Sequence, residues 1–366
     1  MRQRFSMNAN VETLFRLVQI ALGNSRDYTV DSNTDWQSVY RLSLSQNVWA
    51  LVYDAIGRCR EHSANKETFI DEDLWYTWLG QSFIQVRDIK DKWFAAKDLG
   101  DFWDRKGLKT VVLKGLAYAQ FYPQPLYRSF CDMDVYLYDK WEDGNREIEK
   151  DGIAVNRDFY KNSSFTYRGL YVENHKFCSS IRGGYKRKEY ELLLRDLLQQ
   201  GPVEKIKGLE LLCPPPLFNL LFFMSHAQCH FLYEGGIKLR SVCDWGVLLK
   251  AYAQCDSSLW SVFEEKCDYF GMKVFAHTMS GVAKRVCGVS LPFICKSDVK
   301  CEEALLADIL YGSVLKTSPS KWRSRWNICK SIVQSRWKFV MFSDQTMLSA
   351  LYQMVASFFI ERKPTL

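Results

Sequence analysis

Residues 111–134 read VVLKGLAYAQFYPQPLYRSFCDMD, and the fold turns on this stretch. Thr110–Leu113 (TVVL) is a short apolar, β-branched run that predicts a buried strand. Lys114 and Gly115 follow at once, and Gly115–Phe121 is compatible with one helical turn. The prolines of Tyr122–Pro125 then predict a turn. In Asp132–Tyr138 (DMDVYLY) the residues Asp132, Asp134, Tyr136 and Tyr138 alternate with Met133, Val135 and Leu137, the period of a strand. Carboxylates at i and i+2 of a strand share one face. At that spacing a shared divalent cation relieves their repulsion, and Mg²⁺ favours one or two carboxylates completed by phosphate oxygens. A strand running into a glycine lets backbone N–H groups approach a phosphate closely. Together these are parts for phosphoryl or nucleotidyl transfer.

On the N-terminal side the chain reads as helical. Apolar residues recur at helical spacing in Asp35–Cys59, and again in Asp71–Trp103, which Gly107 terminates. On the other side, Asp139–Lys150 is charged and suits a helix. Ile153–Tyr160 and Ser164–Phe177 predict strands, with Arg168-Gly169 as a hairpin turn. Helices return in Glu189–Gln199, Pro216–Phe231, Leu239–Tyr252 and Leu259–Cys267. The expected organisation is a helical region over 1–104, an α/β core over 105–205 and a helical region over 206–366, an α+β architecture with a mixed sheet.

The chain has 366 residues, 47% hydrophobic and 25% charged, which excludes a disordered chain, a collagen and a coiled-coil rod. Its net charge of +7 is compatible with anionic ligands. The longest apolar stretches fall short of the ~20 residues of a spanning helix, and Arg16 interrupts the N-terminal apolar run, so neither a membrane span nor a signal peptide is expected. The 12 cysteines are scattered without a CxxC pair, which reads as buried thiols in a reducing cytoplasm.

The run LKG, then YPxP, then Arg, then DMD resembles the uncharacterised bacterial nucleotidyltransferase family of the DNA polymerase β-like superfamily. The matching residues are Leu113, Lys114, Gly115, Tyr122, Pro123, Pro125, Arg128, Asp132 and Asp134. The resemblance implies a third carboxylate on a later strand, Glu173 in YVENH, two residues before His175. Asp151 and Asp158 are weaker rivals for that place. It also extends to SHAQCHFLYEGGIKLRSVCDW, through His226, His230, Lys238, Arg240 and Asp244. The superfamily usually carries Gly-Ser or Gly-Gly at the turn and a shorter spacer. Here the turn is Lys-Gly, with 16 residues between Gly115 and Asp132.

The reading that follows is transfer of a nucleoside monophosphate from an NTP, ATP first among them, to an acceptor, with Mg²⁺ or Mn²⁺. Asp132 and Asp134 would hold the metal, and Glu173 would complete the metal site or act as the base that takes the acceptor hydroxyl's proton. Gly115 and Lys114 would cradle the triphosphate, with Lys238 and Arg240 reaching it. Arg128 would hold a phosphate or pair with an aspartate. His226 and His230 share a helix face, but HxxxH without a third ligand points to packing or hydrogen bonding toward the catalytic unit, with Asp244 as a possible partner. Residues 315–338 hold seven Lys/Arg, three Trp and no acid, the composition of a nucleic-acid contact or of a basic face over a Trp-bearing core. The alternatives to an enzyme are a nucleotide sensor without turnover and an RNA-interacting module.

Overall fold

The computed structural model describes residues 8–31, 33–62, 70–181, 184–201, 203–312 and 321–360. Four helices lead in: α1 (Ala9–Ala21), α2 (Trp36–Ser45), α3 (Trp49–His62) and α4 (Glu72–Arg105). The single periodic stretch 35–59 is in fact two helices. Asn47 takes φ +58 between them, and the Val48 N–H closes back on the Ser43 carbonyl at 3.0 Å. Asparagine tolerates this left-handed cap, so apolar periodicity carries no sign of the break. The Asp71 side chain caps the 34-residue α4, and Gly107 at φ +69 ends it.

A six-stranded sheet follows, in the order β3-β4-β2-β1-β6-β5. Its strands are β1 (Val111–Val112), β2 (Asp132–Tyr136), β3 (Asn162–Tyr167), β4 (Leu170–His175), β5 (Glu204–Lys205) and β6 (Leu212–Cys213). The short α5 (Leu116–Ala119) lies between β1 and β2, α6 (Trp141–Lys150) between β2 and β3, and α7 (Gly184–Gln200) after β4. β2 runs parallel to β4 and antiparallel to β1, so the sheet is mixed as the α+β reading expects. β3 and β4 form the hairpin expected at Arg168-Gly169, where both φ angles are positive, the geometry of a tight primed turn. The last two strands lie at 204–213, across the boundary expected at residue 205.

Ile153–Tyr160 is not the strand its composition suggests. It makes one bridge, Asn156 to Ser164, and is otherwise strapped to α6. The Arg157 guanidinium reaches Glu149 at 2.5 Å and Glu142 at 2.9 Å, and these charge-assisted bonds tie the segment to the helix rather than to the sheet edge.

Eight helices complete the described chain: α8 (Pro216–Tyr233), α9 (Leu239–Ala251), α10 (Ser257–Tyr269), α11 (Lys273–Cys287), α12 (Val299–Tyr311), α13 (Lys321–Gln334), α14 (Arg336–Phe342) and α15 (Met347–Ile360). One apolar core runs from α1 through the sheet into these helices. One sheet face packs on α4 and α6, where Asn174 donates to Asn145 at 2.9 Å and Trp103 meets Phe165 edge-on. The other face carries the alternating polar residues of β2 and β4 toward α8 and α9.

All 12 cysteines are free. No helix among the described residues is long and apolar enough to cross a membrane. Of the basic stretch 315–338, residues 315–320 and the side chains of Lys321, Trp322, Ser324 and Arg325 lie outside the described residues. Within the remainder, Ile332 is buried and Trp326 is exposed. Lys338 is buried too, paired with Asp308 at 2.6 Å, and its charge is spent inside the fold.

Candidate active site

The site begins where β1 ends. The Leu113 N–H donates to the Asp134 carbonyl at 2.9 Å, and the chain then leaves the sheet. Gly115 takes φ +67 and ψ −102, a conformation that disfavours any side chain. A methyl group there would stand 3.4 Å from the Asp132 carbonyl oxygen. The backbone N–H groups of Lys114, Gly115 and Leu116 have no acceptor among the described residues.

Register assembles the acidic wall. Asp134 stands opposite Glu173, and Tyr136 opposite His175, across the parallel β2–β4 pair. Strand alternation then puts Asp132, Asp134, Glu173 and His175 on one face. The Lys114 ammonium lies 3.2 Å from Asp132 Oδ2 and 3.1 Å from Asp134 Oδ2. The His175 Nε2 sits 2.9 Å from Asp134 Oδ1 and 3.5 Å from Glu173 Oε2, while its Nδ1 meets the Phe177 carbonyl at 3.2 Å. Both ring nitrogens therefore face acceptors, which calls for a doubly protonated imidazole. Burial opposes that charge, but the bonds to Asp134 and Glu173 outweigh it and raise the His175 pKa. Asn162 Nδ2 donates to Glu173 Oε2 at 2.7 Å and fixes that carboxylate.

Asp134 is 2% exposed. Burial alone would raise its pKa; the Lys114 charge and then the His175 hydrogen bond reverse this and hold it well below the usual aspartate range. Its Oδ2 makes no hydrogen bond among the described residues, although the Lys114 ammonium approaches it. A buried carboxylate oxygen left in this state is suited to a cation. Asp134, Glu173 and His175 each offer a ligand atom within 4.8 Å of one another. The three carboxylates marked in the sequence thus meet on one face, but the tightest cluster contains His175, while Asp132 stands more openly at the mouth. Asp151 caps α6 and Asp158 is exposed on the Arg157 strap, so neither joins the cluster. Lys161, just before β3, carries no such signal in the sequence. Burial lowers its pKa, the Asp134 charge acts on it, and its ammonium meets Ser180 Oγ at 3.5 Å.

The opposite wall is cationic. A cleft of about 280 Å³ opens between the two, lined by Lys114, Asp132, Tyr118, His226, Lys238 and Arg240 among others. Lys238 and Arg240 stand at the start of α9. Arg128 takes the second of its two expected roles. Its Nε and Nη2 donate to the two oxygens of Asp244 at 2.9 and 2.8 Å, fully buried, and the Tyr122 hydroxyl donates to the same carboxylate at 2.7 Å. Asp244 is therefore not the partner of the histidines, because Arg128 and Tyr122 occupy it. Arg240 differs from Arg128. Its Nη1 donates to the Ser129 carbonyl at 2.9 Å, its Nε has no partner, and no carboxylate pairs with it among the described residues. Burial, then the Arg128 charge, lower its pKa. The Tyr118 hydroxyl at the same cleft is also buried without a partner, a feature that an apolar-looking helical turn conceals.

A model of the family described as "Uncharacterised nucleotidyltransferase" matches residues 32–288 of this chain. That span contains both walls of the cleft and the sheet between them. No curated protein matches the chain. No solved structure matches it.

Proposed function

The chain belongs to the uncharacterised nucleotidyltransferase family, and we propose that it transfers a nucleoside monophosphate from an NTP, ATP first among them, to an acceptor hydroxyl, releasing pyrophosphate, with Mg²⁺ or Mn²⁺. The observation that carries this reading is the buried Oδ2 of Asp134, approached among the described residues by the Lys114 ammonium alone, beside Glu173 and Asp132. An oxygen-rich donor set of this kind suits a hard divalent cation. Asp132, Asp134 and Glu173 would hold that cation. His175 occupies the other oxygen of Asp134, and Asn162 one oxygen of Glu173, so the remaining lone pairs keep a fixed direction. Bound there, the ion would neutralise the triphosphate and orient the α-phosphate.

The rest of the work falls to the chain. The Gly115 turn offers backbone N–H groups at a point where no side chain intrudes. Lys114, at the mouth of the carboxylates, can swing its ammonium to the triphosphate. Arg240 and Lys238 bring cationic charge that no carboxylate of the described residues neutralises, as a polyanionic ligand requires. Arg128, clamped to Asp244, acts as a positioning residue, joining the loop before β2 to α9 and so setting the width of the cleft.

The test is transfer of α-phosphate label from each of the four NTPs, with Mg²⁺ or Mn²⁺, to acceptors in host lysate, for wild type beside Asp134→Ala. Label that appears with wild type alone supports the reading, and the size of the labelled species gives the acceptor class. NTP binding without label or pyrophosphate under every condition would replace it with nucleotide sensing.

A further inference from the structure

The carboxylate wall leaves unused a row of polar side chains along α8. His226 lines the cleft with Lys114 and Asp132, and its Nε2 lies 2.9 Å from the His230 Nε2. The His230 Nδ1 in turn lies 2.8 Å from Glu234 Oε2, at the partly exposed end of the helix. Phe222 stacks on the His226 ring at 5.8 Å and 10°, which fixes its plane.

These contacts restrict where the protons can sit. The Glu234 carboxylate only accepts, so His230 carries a proton on Nδ1. In the arrangement where His230 Nε2 offers a lone pair, His226 donates its own Nε2–H to it. The remaining nitrogen of His226, Nδ1, is left as a lone pair. It has no partner among the described residues. The same logic orients the imidazole in a Ser-His-Asp triad, here with a second histidine inserted. The charges acting on His226 from elements other than its own are Lys114 in the turn after β1, Asp134 on β2 and Lys161 before β3. Burial first, then Lys114, keep His226 neutral far below the usual histidine range.

Resting on the nucleotidyl-transfer reading, we propose that His226 is the general base for the acceptor hydroxyl, with His230 and Glu234 as positioning residues that set its tautomer and lead the proton outward. The acceptor oxygen forms its bond to the α-phosphorus, and the bond from that phosphorus to the bridging oxygen breaks. Pyrophosphate leaves with the bonding pair. The hydroxyl proton passes to His226 Nδ1, the Nε2 proton passes to His230 Nε2, and the resulting His230 imidazolium, paired with Glu234, releases its proton to water. Glu173 is then free to serve as a carboxylate ligand alone.

Two measurements test this on the full chain. Nitrogen-15 NMR of the wild-type histidines should show His226 protonated on Nε2 and His230 on Nδ1. Glu234→Ala should release that preference. Proton on Nδ1 of His226 in wild type would overturn the proposal without reference to any activity. In the label-transfer assay, His226→Gln should lower kcat by about 10²- to 10⁴-fold and abolish the acid limb of the pH–rate profile. Binding of a non-hydrolysable NTP analogue with Mg²⁺ should stay within about twofold. Wild-type kcat and an unchanged pH profile in His226→Gln would overturn the base and leave nucleotidyl transfer standing. A wild type that transfers no nucleotide at all would overturn both.

Discussion

The two walls of the cleft use the same charges in opposite ways. On the sheet side, Asp132, Asp134 and Glu173 face Lys114 and His175, and the Oδ2 of the buried Asp134 is approached, among the described residues, only by the Lys114 ammonium. On the α9 side two arginines lie near one carboxylate. Arg128 takes both oxygens of Asp244, while Arg240 holds only a carbonyl. A buried ion pair with every lone pair engaged is architecture, and removing one partner strands the other charge. A buried charge or oxygen whose hydrogen bonds are incomplete is what a ligand can complete. By this criterion Arg128 and Asp244 are architecture, while Arg240 and the Asp134 Oδ2 are the groups a ligand can complete. Neighbours distinguish the two, and residue type does not.

Asp134→Ala should cut transfer of α-phosphate label by at least about 10³-fold, several kcal/mol of transition-state stabilisation. Its thermal unfolding should stay cooperative. If the variant retains turnover, the sheet side is not the reacting wall.

Asp244→Ala should act on the fold instead, costing about 3–5 kcal/mol because Arg128 is left buried and unpaired. Denaturant unfolding reads this directly, and a loss below about 1 kcal/mol would mean that the pair is not structural.

Arg240→Gln should do the reverse. It should raise the NTP KM by about 10- to 100-fold, the loss of a charged hydrogen bond of about 1.5–3 kcal/mol, with little change in Tm. If Tm falls while KM holds, the two arginines have the same role and the comparison fails.

Gly115→Ala should cost about 1–2 kcal/mol through its positive φ alone. A full-strength Tm in that variant would show that the turn relaxes.

The acid limb of stability sharpens the contrast further. Asp134 has a folded pKa below the ordinary 3.8. Between the two values the unfolded chain binds the extra proton, so stability rises with pH there. The contribution is complete above about pH 4–5 and is lost as pH falls toward the folded value. The slope of unfolding free energy against pH between about 2 and 5 should therefore be shallower in Asp134→Asn than in wild type.

Much of the sheet side is readable along the chain because its information is local. A β-branched run, a glycine and a carboxylate pair at i and i+2 lie within 24 residues, and alternation alone places Asp132 and Asp134 together. The hairpin at Arg168-Gly169 is equally local, since both positive φ angles belong to the turn itself. Where local pattern failed, a local rule was overridden. Ile153–Tyr160 has strand-like composition, but Arg157 bonds it to α6. Asp35–Cys59 has unbroken helical periodicity, but Asn47 closes one helix and opens the next.

By itself the sequence determined the class of the fold, the strand that carries the aspartates and the glycine turn in front of them, because periodicity and conformational preference act over a few residues. The pairing of partners was decided only by the tertiary structure. His175 reaches Asp134 because two parallel strands bring residues 41 apart into contact, and Arg128 reaches Asp244 across 116 residues. Whether a charge is spent or available depends on burial and on which lone pairs remain, and both are properties of neighbours in space that no spacing along the chain records.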